Sequence, residues 1–135
     1  MACLDTTVFV DATGRNASLK GRSLAKVRDL IRRGQTLVTT RFNVAELYVG
    51  VFRSDDRRSE ELSVLRMLRG LAILDFDGKA MKLFGQITAL LQQSGLPVGD
   101  MDVLIAATAM AHGHLLVTRN PEHFRRIPNL SIQEY

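Results

Sequence analysis

Between a breaker-rich loop, Gly95-Leu96-Pro97-Val98-Gly99, and the apolar run Leu115-Leu116-Val117-Thr118 lies a stretch, residues 101–112, that is apolar on nearly every side when wound as a helix. Such a helix has no polar face to turn towards water and must be covered all round. The rest of the chain therefore has to build layers about it.

The remaining periodicities supply those layers. Residues 2–4 and 8–10 are short, apolar and β-branched, and read as an opening strand. From Ser23, the spacing of Leu24, Val27, Leu30 and Ile31 predicts a helix that Gly34 ends. Residues 36–40 read as a second strand. Asn43 is placed to cap a helix with Val44, Leu47, Tyr48 and Val51 on its apolar face, and a charged helix with Leu62, Leu65 and Leu68 on one face follows. Residues 71–76 fit a buried strand. Asp77 is placed to cap a helix whose inner face is Leu83, Phe84, Ile87, Leu90 and Leu91. Asp100 is placed to cap the all-apolar helix, residues 115–118 form a strand, Asn120-Pro121 opens a short helix, and residues 130–133 form the last strand. Met67, Met81, Met101 and Met110 read as core filler.

Strands alternating with helices predict an α/β fold of three layers, α/β/α, about a central and mainly parallel sheet, as one domain over residues 1–135. That length buries a core without staples. No run approaches the ~18 uninterrupted apolar residues of a membrane span, and Met1-Ala2-Cys3-Leu4-Asp5 has no leader character. The single cysteine, Cys3, excludes an internal disulfide and a cysteine zinc site, and points to a reducing cytoplasm. Lys and Arg number 18 against 14 Asp and Glu, a net charge of +4. That balance favours polyanionic partners, though many small proteins are mildly basic for no such reason.

In parallel sheets, sites form beyond the carboxyl ends of the strands. Asp5 follows the first strand, Glu46 falls in the first turn after the second, Asp102 opens the apolar helix, and Asn120 follows the strand ending at Thr118. If these converge, three carboxylates would repel one another unless a cation neutralised them. Hard oxygen donors select Mg²⁺ or Mn²⁺ over zinc, and such an ion suits phosphate chemistry. Each residue alone has a simpler reading. Asp5 fits an Asx turn, Glu46 stands at capping-box spacing from Asn43, Asp100 or Asp102 suits a helix dipole, and Asn120 is an ordinary cap.

The flanking residues are more specific. Leu4-Asp5-Thr6 resembles the opening strand of PIN domains, and Asn43-Val44-Ala45-Glu46-Leu47-Tyr48-Val49-Gly50 resembles the family's glutamate helix. Asp102 stands three positions before Ile105-Ala106-Ala107, as in the VapC toxins of bacterial toxin–antitoxin pairs. His114-Leu115-Leu116-Val117-Thr118-Arg119-Asn120, with Phe124, Ile127-Pro128 and Leu130, continues the pattern in order.

That resemblance implies a Mg²⁺- or Mn²⁺-dependent endoribonuclease, a homodimer, and a VapB-like antitoxin as partner. By position it makes Asp5, Glu46 and Asp102 metal ligands and Asn120 the fourth site, where a neutral group favours one tightly held ion. Asp100 and Thr118 are candidate supports, and Arg119, Arg125 and Arg126 are candidates for RNA or antitoxin contact. Thr7 stands where the family often has asparagine. His112, His114 and His123 read as structural or surface residues, and Asp75 and Asp77 as a strand end and a cap. A binding module that has lost cleavage, or another metal phosphohydrolase, are the alternatives. The sequence has no Gly-rich phosphate loop and no G-x-G-x-x-G to support a nucleotide-binding fold.

Overall fold

The computed structural model describes all of residues 1–135. Five strands, β1 (Ala2–Leu4), β2 (Leu37–Thr40), β3 (Ala72–Leu74), β4 (Leu115–Thr118) and β5 (Ile132–Glu134), form one sheet. Their order is β3-β2-β1-β4-β5, and every pairing is parallel. The chain thus builds outward from β1 in one direction, then returns to the other side of it. The reversal sets the carboxyl ends of β1 and β4 side by side, the switch-point geometry at which parallel sheets hold ligands.

The period-2 alternation of strands sorts side chains to the two faces. Cys3, Val38 and Leu116 face one layer, together with Ile87 and Leu91 of α5 (Gly78–Gln93) and the inner side of α6 (Asp100–Ala111). Ala2, Leu4 and Val117 face the other, with α1 (Thr6–Thr13), α2 (Ala17–Arg32), α3 (Arg41–Arg53) and α4 (Arg57–Leu68). The three-layer α/β/α arrangement is as expected. In α6, Ile105, Ala106, Ala107 and Ala109 are wholly buried. Small residues let the helix lie close to the sheet, and the buried Thr108 hydroxyl satisfies itself on the Leu104 carbonyl at 2.7 Å. Cys3 is also fully buried, and burial with Asp5 beside it pushes its thiol up to about 12, so it packs as a small apolar side chain. No helix is long and apolar enough to cross a membrane.

Several local expectations are corrected. Val8 to Val10 belong to α1, because their β-branched character yields to packing of Val8 and Phe9 against the sheet. The second helix begins six residues before Ser23, at Ala17, where Asn16 accepts from the Leu19 N–H at 3.0 Å. The cap of α3 is Thr40 rather than Asn43. Consequently Glu46 lies beyond the first turn. In α4, Leu62 and Leu65 are 47% and 49% exposed and Val64 is the buried residue, since α4 turns a different side towards α3 and α1. β3 is an edge strand of three residues and only partly covered. Leu90, Met81 and Met101 are exposed, leaving Met67 and Met110 against the core. Asp100 is the first residue of α6 and Gly99 its cap, with no side-chain cap bond. The last strand begins two residues and ends one residue later than expected, at Ile132–Glu134.

Candidate active site

Asp5 leaves β1 at the position that precedes α1 and is 5% exposed. It is the N-cap residue of α1, but its side chain makes no cap bond. Both oxygens are instead held from other elements. Oδ2 accepts from Thr118 Oγ1 at 2.7 Å and from Thr7 Oγ1 at 3.2 Å, and Oδ1 accepts from Asn43 Nδ2 at 3.2 Å. The Thr118 hydroxyl also receives the Asn120 N–H at 3.0 Å, which fixes the start of the loop after β4.

Asn43 is the hub that sequence reasoning misplaced. It stands at the third position of α3 and closes a capping box with Thr40: the Asn43 N–H donates to Thr40 Oγ1 at 3.2 Å and the Thr40 N–H donates to Asn43 Oδ1 at 3.3 Å, with Thr40 Oγ1 also donating to Asn43 Oδ1 at 2.7 Å. That arrangement turns its amide nitrogen towards Asp5 and also towards Thr6 Oγ1, at 3.0 Å. Thr6 in turn donates to Glu46 Oε1 at 2.9 Å. One buried amide therefore orients two carboxylates, one directly and one through a threonine. The Thr-x-x-Asn spacing just after β2 was the available signal.

Asp5, Glu46, Asp102 and Asn120 line one cavity of about 180 Å³, with Thr6, Thr7, Arg119 and His123 completing most of its wall. The four candidates come from four separate stretches of chain, and the fold brings them together. Asp100 does not reach it; it borders a separate cavity of about 340 Å³ beside Leu91, Leu96 and Val98. Burial holds the Glu46 carboxyl above its usual range, with repulsion from Asp5 and Asp102 adding to the rise and the Thr6 bond opposing it. Asp102 is likewise raised, first by burial and then by Asp5, while His123, with Nδ1 at 3.6 Å, works against the shift. No three His, Cys, Asp or Glu side chains close to ligating distance about one point. Like charges in a half-buried wall keep apart, and the donor set, all carboxylate oxygen, suits a hard divalent cation.

Basic groups flank this cavity. Arg125 and Arg126 are exposed and, with His123 and Asp102, border a groove of about 540 Å³ that adjoins it. Arg125 is paired with Glu122 at 2.7 Å. Arg119 lines the acidic cavity itself and is anchored to Asp11, at 2.6 Å, a buried acid that sequence reasoning did not single out. Of the other histidines, His112 lies 3.5 Å from Asp77 and His114 is buried, both apart from the cavity. Asp77 caps α5 through the Ala80 N–H at 2.9 Å, and Asp75 pairs with Arg41.

The sequence profile described as PIN domain matches residues 2–130. The chain belongs to the PIN-domain family. Within it, the chain is 32% identical over 132 residues to Ribonuclease VapC2 of Rickettsia felis, covering 98% of this chain and 96% of that protein. The tRNA(fMet)-specific endonuclease VapC of Salmonella typhimurium is 42% identical over 65 residues, 48% of this chain and 49% of that one. Among solved structures, VapBC2 from Rickettsia felis bound to a promoter DNA fragment superposes with a TM-score of 0.85 at 30% identity, over 99% of this chain and 98% of that one. These likenesses put the chain in the VapC branch of the PIN domains. In PIN-domain terms, the acidic cavity stands at the carboxyl ends of β1 and β4, bounded by the early turns of α3 and α6.

Proposed function

We propose that this chain is an endoribonuclease toxin that hydrolyses RNA phosphodiester bonds with a divalent cation held by Asp5, Glu46 and Asp102. The observation that carries the reading is the single cavity shared by these carboxylates and Asn120, with basic side chains beside it. A divalent cation bound there supplies the Lewis acidity that phosphodiester hydrolysis needs at neutral pH. Mg²⁺ is the proposed ion, with Mn²⁺ the substitute.

The chain's own residues perform the rest. Thr118, Thr7 and Asn43 fix both oxygens of Asp5, and Thr6 fixes Glu46, so the acidic wall is oriented before substrate arrives. The arginines hold backbone phosphates. The neutral Asn120 contributes an amide where a fourth carboxylate would favour a second ion. The proposed products carry a 5′-phosphate and a free 3′-hydroxyl. The Rickettsia felis relatives are a ribonuclease and a VapBC complex. By that likeness the proposed partner is a VapB-like antitoxin, the proposed assembly a homodimer, and the proposed setting the cytoplasm. The Salmonella relative is named for tRNA(fMet), but that likeness covers half the chain, so the proposed substrate here is RNA as a class.

The test is direct. The protein, purified free of any partner, is incubated with total RNA in Mg²⁺ or in EDTA, with Asp102→Asn alongside. Discrete fragments that need Mg²⁺ and vanish in the variant support the reading. A folded, Mg²⁺-saturated protein that leaves RNA intact overturns it and favours a binding module.

A further inference from the structure

Asp11 is 4% exposed, and an isolated buried carboxylate is costly unless it is paired and hydrogen-bonded. It has two partners, both on the same oxygen. Arg119 Nε donates to Oδ2 at 2.6 Å and the Tyr135 hydroxyl donates to it at 2.8 Å. Tyr135 is itself held by Arg22, whose Nη2 donates to its main-chain oxygen at 2.6 Å. The Arg119 backbone N–H is fixed as well, donating to Thr7 Oγ1 at 3.1 Å, and Thr7 touches Asp5. The arginine is thus clamped at both its backbone and its side chain.

The Tyr135 hydroxyl also bears on the guanidinium, and the clamp still leaves it partly open to solvent. Only Nε is engaged with Asp11, the side chain stays 33% exposed, and the residue lines the same cavity as Asp5, Glu46 and Asp102. A fixed guanidinium edge at the rim of an acidic pocket is matched to a phosphate, whose oxygens accept two parallel N–H donors. Holding a long side chain in place beforehand removes the rotamer entropy that binding would otherwise cost.

We infer that Arg119 binds an RNA phosphate at the acidic cavity, and that Asp11 and Tyr135 are positioning residues that hold it there. The inference rests on the nuclease reading and adds to it which arginine serves the acidic cavity and the two residues that hold it in place. A pair that served only to tie the loop after β4 to α1 would matter to stability alone.

The two roles separate by experiment. In an Asp102→Asn background with Mg²⁺, binding of a fluorescein-labelled single-stranded RNA is followed by anisotropy at several salt concentrations. Arg119→Gln is expected to weaken binding roughly tenfold at low salt, the worth of one charge-assisted contact. It should also reduce the slope of log K against log salt by about 0.7, the value for one phosphate on a single strand. Asp11→Asn and the milder Tyr135→Phe should weaken binding in the same direction, and Asp11→Asn should add nothing once Arg119→Gln is present. With Asp102 intact, Arg119→Gln and Tyr135→Phe should raise KM more than they lower kcat. A salt slope and affinity unchanged by Arg119→Gln, with only the melting temperature lowered, would overturn the inference. Cleavage by the unaltered protein in that case leaves the nuclease reading standing; no cleavage by it fails that reading separately.

Discussion

Thr118 Oγ1 donates to Asp5 Oδ2 at 2.7 Å, a bond between residues 113 apart in sequence and one strand apart in space. It couples the ends of β4 and β1 at the place where the acidic cavity opens. Thr118→Val keeps the shape and removes the donor, leaving a buried carboxylate oxygen and the Asn120 N–H short of a partner. The expected cost is about 1–3 kcal/mol, read by chemical denaturation, with a loss of RNA cleavage beyond what unfolding accounts for. Thr118→Ser should keep most of both. Equal cleavage by the Val variant and the parent would remove any orienting role for this hydroxyl.

Asn43 serves the cap of α3 and the orientation of Asp5 at once, and two variants separate those tasks. Thr40→Ala takes away the cap and should cost about 0.5–2 kcal/mol. Asn43→Ala takes away the cap and also the donor to Asp5 and Thr6, for roughly 2–4 kcal/mol in total. The difference between the two melts measures what Asn43 does for the site. If they cost the same, Asn43 is a capping residue only.

Glu46 and Asp102 both titrate above the usual carboxylate range in the folded chain. A carboxyl raised on folding stabilises the fold below its unfolded pKa, and that stabilisation is lost as pH rises through the folded value. At pH 7 without metal, Glu46→Gln and Asp102→Asn should therefore each melt higher than the parent, at roughly 3–6 °C per kcal/mol for a chain this size. Added Mg²⁺ should raise the parent's melting temperature and move the variants' less. Thermal melts in EDTA and in Mg²⁺ check both statements; variants that melt below the parent in EDTA contradict the first.

His114 is buried, and its Nδ1 has no hydrogen-bond partner. Burial, helped by nearby positive charge, lowers its pKa. Stability from the neutral ring is then present above the unfolded value near ~6.5 and is lost as pH falls towards the folded one. An NMR titration should find this ring titrating below ~6.5. His114→Leu should flatten the stability profile between about pH 7 and 5, the side on which the parent declines.

The residue pattern was sufficient for the architecture. Alternating strand and helix periods, and the all-apolar helix that needed covering, determined a layered parallel sheet, because burial follows from periodicity before any contact is known. The pattern also placed Asp5, Asp102 and Asn120 next to the carboxyl ends of strands or at a helix start, with Glu46 one turn deeper in its helix than expected, and the flanking motifs carried the family. What it left open was decided by contacts between distant segments. Val8 to Val10 have the composition of a strand, yet packing on the sheet makes them helix. Asn43 has the composition of a cap, yet Thr40 takes that place and frees its amide for Asp5. Asp11 and Tyr135 carry no local signal at all, because what defines them is a contact across the chain: Arg119 and Tyr135 both donate to Asp11, each more than a hundred residues from it. Periodicity is a property of neighbours along the chain, whereas a buried hydrogen bond belongs to whichever groups the completed fold leaves facing each other.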